Sequence, residues 1–206
     1  MDVATWLAFA AASIVLLVIP GPTILLVVSY ALTQGRRVAL ATAAGVALGD
    51  FVAMTASLVG LGALLLASAT LFTVLKWVGA AYLVYLGIRL WRSEPRLSEP
   101  GTAEVRARPG IFGHAFVVTA LNPKSIAFFV AFVPQFIDGS APLLPQLVIM
   151  EATFVTLAAV NALVVALAAD QLRRRLRRPA VLSWMNRAGA ACLVAMGVAT
   201  AAAGRG

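Results

Sequence analysis

A chain of 206 residues that is 62% hydrophobic and only 12% charged does not have the composition of a soluble domain. Its mean hydropathy of +0.96 predicts several membrane spans. The net charge of +8 does not point to nucleic acid, because the basic residues fall in loops between apolar runs, where they set membrane orientation.

The chain opens on Met1-Asp2 without a basic n-region, so the first span is expected to stay in the mature protein. A charge-free run from Val3 to Gly35 follows, and at its centre stands Val18-Ile19-Pro20-Gly21-Pro22-Thr23. Each proline removes an N–H and clashes with the carbonyl four residues back, Leu16 for Pro20 and Val18 for Pro22. In hydrocarbon, unpaired backbone is tolerated only against protein or a watery cavity. The break is therefore expected to line a cavity near the midplane. A second half-helix starts at Pro22, and the free N–H groups of Thr23 and Ile24 at its positive end suit a carboxylate. The structural alternative is a plain kink, since Pro and Gly are ordinary in membrane helices.

Six apolar runs can be marked, at about 4–33, 38–66, 70–91, 111–137, 144–169 and 180–203. Lys76 and Arg187 sit in the first turns of the third and sixth and must snorkel or find partners. The loops alternate in charge. Arg36 and Arg37 follow the first run. Arg92, Arg96, Arg106 and Arg108 follow the third, with Arg89 just before them, and Arg173, Arg174, Arg175, Arg177 and Arg178 follow the fifth. The loops at 67–69 and 138–142 carry no basic residue. This pattern places the three basic loops in the cytoplasm and both termini outside.

The polar, Pro-containing stretch 93–110 is expected to be a cytoplasmic linker between a first three-helix repeat, 1–92, and a second, 111–206. One constant offset pairs Pro22 with Pro123, Gln34 with Gln135 and Asp50 with Glu151. A second offset aligns Gly79–Val84 with Gly189–Val194 and Gly87 with Gly197. An odd number of spans per half gives the two repeats opposite orientations. The expected fold is thus an all-α integral membrane protein, with six transmembrane helices in two inverted repeats and with helices 1 and 4 broken, an architecture found in secondary transporters.

Asn122-Pro123-Lys124 is the second break, within the fourth run. Pro123 frees the Thr119 carbonyl and starts a new half-helix, which puts the Lys124 ammonium at a positive helix end. An anion would relieve that placement: a substrate carboxylate, Asp50 or Glu151. The alternative is a permanent structural Lys–carboxylate pair. Asp50 is the only charge between Arg37 and Lys76 and lies about 20 Å along the second span from Arg37. Intramembrane acids usually face an interior pathway, so Asp50 is a candidate for a substrate amino group, a coupling proton, or both in turn. Glu151 is the matching acid of the second half, nearer the outer end of the fifth span, with an interfacial carboxyl as the bland reading.

Asn161 is read as a helix bridge, and Gly45 and Gly49 as a GxxxG pair for close helix approach, within the chain in preference to a homodimer. Asp170 is expected to pair with one of the arginines after it, and His114 is read as a solvated or capping histidine. Together the residues predict a zwitterion site. Half-helix starts at Pro20, Gly21, Pro22, Thr23, Asn122 and Pro123, with Lys124, face the carboxylate; Asp50, with Glu151, faces the amino group. With one cysteine, Cys192, and one histidine, no metal, disulfide or cofactor is expected. The competing classes are a membrane-embedded hydrolase, disfavoured by the lack of a Gly-x-Ser-x-Gly elbow or a Ser–His pair, and a passive channel subunit.

These motifs also carry a resemblance. Pro20-Gly21-Pro22, Gln34-Gly35-Arg36-Arg37, Gly45–Gly49-Asp50, Asn122-Pro123-Lys124, Phe128-Phe129 and Phe132-Val133-Pro134-Gln135-Phe136 together resemble the LysE/RhtB family of amino-acid exporters over nearly the whole chain. The resemblance implies a small bacterial inner-membrane protein, not an enzyme, that expels an amino acid or related metabolite, driven by the proton gradient. Where the family often has Asn after Pro-Gly-Pro, this chain has Thr23, which keeps a hydroxyl and loses an amide. Lysine-type and homoserine/threonine-type substrates stay open.

Overall fold

The structure is a computed structural model that describes residues 1–93, 110–169 and 179–202. The linker at 93–110 falls almost wholly outside the described residues, as do Asp170, the arginines at 173–178 and the ends of the neighbouring charge pattern. Among the described residues the chain is helical, with no strand.

The first apolar run forms two helices, α1 (Val3–Val18) and α2 (Pro22–Gln34), which meet at 56°. Asp2 caps α1 by accepting from Thr5 N at 2.9 Å and Thr5 Oγ1 at 2.7 Å, and these bonds hold its carboxyl below the usual range. Gly35, at φ 75°, turns the chain through a short 3-10 segment into α3 (Ala39–Ala67). Helix α4 (Ala69–Arg92) starts on a Ser68 cap that accepts from Leu71 N. The fourth run is broken like the first. Helices α5 (Ile111–Ala120) and α6 (Pro123–Ala131) bend by 43° at Leu121-Asn122, and a 3-10 turn, Val133–Phe136, ends the segment. Helices α7 (Leu143–Leu167) and α8 (Pro179–Ala202) follow.

Helices α3, α4, α7 and α8 are long and apolar enough to cross a membrane, and each bent pair passes as a unit, giving four to six candidate spans. Large apolar side chains point outward, among them Leu40, Leu144 and Trp184, each more than 70% exposed, as lipid-facing surfaces require. Arg187, expected to need a partner, lies over the Trp91 ring at 5.8 Å.

Small residues set the close packing. A Cβ built on Gly45 would stand 2.5 Å from the Phe112 carbonyl, and one on Gly49 would stand 2.8 Å from the Phe116 carbonyl and the Thr119 Cβ. The expected GxxxG pair therefore packs within the chain, with α3 and α5 parallel. On the other side α4 and α8 run antiparallel with reciprocal contacts. Gly87 would meet the Ala190 carbonyl at 2.8 Å and Val194 Cγ2 at 2.7 Å, while Gly197 would meet the Ala80 carbonyl and Val84 Cγ2, both at 2.7 Å. Residue i touching j while the counterpart of j touches the counterpart of i is what a two-fold relation produces.

An aromatic cluster fills the end of the bundle near the α1 N-terminus. Phe129 meets Phe154 edge-on at 4.8 Å, Phe128 packs on Phe132 and Phe154, and Phe9 meets Phe136. Gln146, nearly fully buried, ties the 138–142 turn to α7 by accepting from Asp138 N and donating to the Asp138 and Ala141 carbonyls.

Candidate functional site

The two helix breaks touch. Asn122 is the N-cap of α6: its Oδ1 accepts from Lys124 N at 3.1 Å, while its Nδ2 donates to Thr23 Oγ1 at 3.1 Å. The Thr23 hydroxyl also lies 3.3 Å from that of Thr119, the last buried residue of α5. The Thr119 carbonyl, freed by Pro123, accepts from Asn122 N at 3.0 Å. Thr23 after the first break and Thr119, Asn122 and Lys124 around the second are thus held in one hydrogen-bonded chain. Replacing Thr23 by Val keeps the shape and removes the shared hydroxyl, leaving buried Asn122 and Thr119 atoms short of a partner. An unmet buried group costs about 1–3 kcal/mol. Thr23→Val is accordingly expected to lower the unfolding midpoint of the detergent-purified protein, and an unshifted midpoint would contradict this linkage.

Lys124 is where the structure departs most from expectation. Its ammonium was expected to meet a carboxylate. It instead donates to the backbone carbonyls of Leu16, at 2.8 Å, and Ile19, at 2.9 Å. The reason is local. Pro20 cannot donate to Leu16, so that carbonyl is left open at the negative end of α1, and a cation there is favoured by the helix dipole. Asn161 of α7 adds a long bond to the next carbonyl, Leu17, at 3.4 Å, which fulfils its expected bridging role.

A small cavity lies beside this junction, lined by Gly21, Thr23, Asp50, Asn122, Lys124 and Ser125, with Asn161 and apolar residues around them. Its volume is about 20 Å³, room for about one water. Asp50, only 2% exposed, projects from α3 beside the Gly49 contact, and its Oδ1 is buried without a hydrogen-bond partner. Lys124 and Asp50 act on each other electrostatically across the cavity. Helix α2 begins at the cavity with Gly21 as N-cap and no side-chain cap, so its first turn presents backbone amides there.

The remaining expected residues fall elsewhere. Pro20, Pro22 and Pro123 break the helices but do not line the cavity. Glu151 does not line it either: its Oε1 accepts a hydrogen bond from Thr55 Oγ1, joining α7 to α3. The antiparallel packing of α3 on α7 explains this: Asp50 shares the cavity with Ala158, Asn161 and Ala162 of α7, whereas Glu151, nearer the start of α7, meets Thr55. His114 is exposed, as expected, yet its Nδ1 lies 2.8 Å from the hydroxyl of buried Tyr30, a link from α5 to α2 that the sequence reading did not include. Ser125 and Thr119 were also missed. The available signal for both was their place within four residues of Pro123.

Residues 14–204 match the family model of the LysE type translocator. A membrane protein of Vibrio cholerae whose role is uncharacterized is 35% identical over 187 residues, 91% of each chain. The homoserine/homoserine lactone efflux protein of Salmonella typhimurium is 32% identical over 198 residues, 96% of each chain. The leucine efflux protein of Salmonella choleraesuis is 33% identical over 131 residues, 63% of this chain and 62% of the relative. No solved structure matches. A match over nearly the full length, joined to a buried, doubly broken helix junction in a multi-span bundle, places this chain in the LysE type translocator family.

Proposed function

We propose that the protein is a secondary exporter of a small amino acid or a related zwitterion, driven by proton antiport across the bacterial inner membrane. The observation that carries this reading is the meeting of the two breaks at a cavity that holds Asp50 and Lys124. A zwitterion needs an anion site and a cation site a few ångströms apart. The uncapped start of α2 offers amides to a carboxylate, and Asp50 together with the open end of α1 offers acceptors to an ammonium. Asp50 also serves as the group that takes up the coupling proton. The cavity has room for about one water, so substrate enters only when the helices separate, as alternating access requires.

The same reading takes the molecule as six spans in two inverted three-helix repeats, 1–92 and 111–206, with both termini outside. The reciprocal contacts of Gly87 and Gly197 and the paired bends of 56° and 43° support it. The relatives named for homoserine and leucine efflux make short neutral amino acids the first substrates to test. Purified protein in liposomes preloaded with labelled homoserine or leucine is expected to exchange label saturably for external substrate, and an inward proton gradient is expected to accelerate net efflux. Non-saturating flux would indicate a channel, and turnover of a peptide or lipid an enzyme; either would overturn the proposal.

A further inference from the structure

The acceptors that a substrate ammonium would seek are already held by the protein's own ammonium. Lys124 Nζ sits on the Leu16 and Ile19 carbonyls, the open end of the broken α1, and faces Asp50 across the cavity. Beside it the buried Asp50 Oδ1 has no hydrogen-bond donor, although a buried acceptor normally has one. A cavity of about 20 Å³ holds about one water, so a whole substrate does not fit while Lys124 keeps its place.

We propose that Lys124 is a tethered competitor: in the empty carrier it holds the place of the substrate's primary ammonium on the α1 carbonyls, and it yields that place when substrate binds. This rests on the exporter reading above and adds the identity of the subsite and the part Lys124 plays in the cycle. The chemistry follows from the donors. Both a lysine ammonium and an amino-acid ammonium carry three N–H donors, enough to meet two carbonyls and a carboxylate oxygen. A trimethylated ammonium carries none and leaves the carbonyls unmet, so the subsite discriminates against betaines.

The cycle then divides into two parts with different needs. Exchange moves a loaded carrier in both directions, and the substrate ammonium meets the α1 carbonyls each time. Net efflux also requires the carrier to return without substrate, its proton on Asp50 and its cavity closed, and Lys124 is then the side chain that covers those carbonyls. The return step therefore depends on Lys124 more heavily than exchange does.

The test is the pair of fluxes in liposomes for wild type and Lys124→Ala, using whichever of homoserine or leucine the wild type exchanges, with glycine betaine as the trimethylated probe. Lys124→Ala is expected to lower net efflux by about tenfold or more beyond whatever it does to exchange, on the scale of a buried acceptor left unmet when the Leu16 and Ile19 carbonyls lose their donor. Wild type is expected not to exchange betaine. If Lys124→Ala does not purify as a single species, Lys124→Gln, which keeps a donor for one carbonyl, goes through the same pair of assays. An equal loss of both fluxes in a well-behaved variant, or unchanged net efflux, overturns the proposal. A wild type that exchanges no amino acid overturns the export reading, and this inference with it.

Discussion

Asp50→Asn is expected to reduce export on the order of 100-fold while the protein reaches the membrane in normal amount. The change is nearly isosteric, so packing against α5 and α7 survives. What is lost is the negative charge facing Lys124 and one of the two oxygens offered to a substrate ammonium; the amide oxygen that stays is a weaker, uncharged acceptor. A hydrogen bond to a charged group contributes about 1.5–3 kcal/mol, and 100-fold corresponds to about 2.8 kcal/mol. Glu151→Gln provides the contrast. Glu151 lies outside the cavity and accepts from Thr55, a bond an amide oxygen can still accept, so export is expected to stay within a few-fold of wild type. The measurement is efflux from liposomes, normalised to incorporated protein, for both variants. If Asp50→Asn loses only the acceleration by a proton gradient and keeps exchange, Asp50 is the proton carrier; if it loses both, it also holds substrate. Wild-type flux in Asp50→Asn, or equal losses in the two variants, would refute the assignment.

The unequal fates of these two acids show how far the sequence could be read. Their equivalence under the repeat offset is plain in the sequence. Positions related by a constant offset run in opposite directions along two antiparallel helices, however, and where they come level is a three-dimensional quantity. Glu151 meets Thr55, which lies beyond Asp50 on α3, so the two acids stand roughly 8 Å apart along that helix. The helix breaks were legible because proline chemistry is local: α2 and α6 start on Pro22 and Pro123 as expected. The partners of Lys124 were legible by half: Pro20 marks the Leu16 carbonyl as open, but nothing in the sequence brings Lys124 to it, and the Ile19 carbonyl has no mark of its own. His114 with Tyr30 was hidden for a similar reason, since the bond joins α5 and α2 across 84 positions of sequence.

Substituting alanine at Gly45 and Gly49 is expected to destabilise the protein, whereas the same change at Gly60 and Gly62, in the same helix, is expected to stabilise it slightly. The sign is decided by what the new methyl meets. At Gly45 it would stand 2.5 Å from the Phe112 carbonyl and 2.9 Å from the Ala115 Cβ; at Gly49 it would stand 2.8 Å from the Phe116 carbonyl and the Thr119 Cβ. Those neighbours are backbone atoms and Cβ atoms, which cannot rotate aside, so α5 itself must move. Overpacking of this kind costs about 1–3 kcal/mol per site. At Gly60 and Gly62 a Cβ meets nothing within 4 Å, and the gain in helix propensity, about 0.5–1 kcal/mol, stands alone. The displacement also reaches the site, because Thr119 both touches Gly49 and holds the hydroxyl of Thr23. Gly49→Ala is therefore expected to reduce export as well as the unfolding midpoint, and Gly60→Ala neither. Midpoints from thermal unfolding of the four purified variants, with efflux from the same preparations, decide the matter: a Gly49→Ala protein as stable and as active as Gly60→Ala would mean that α5 does not rest on α3 through these glycines.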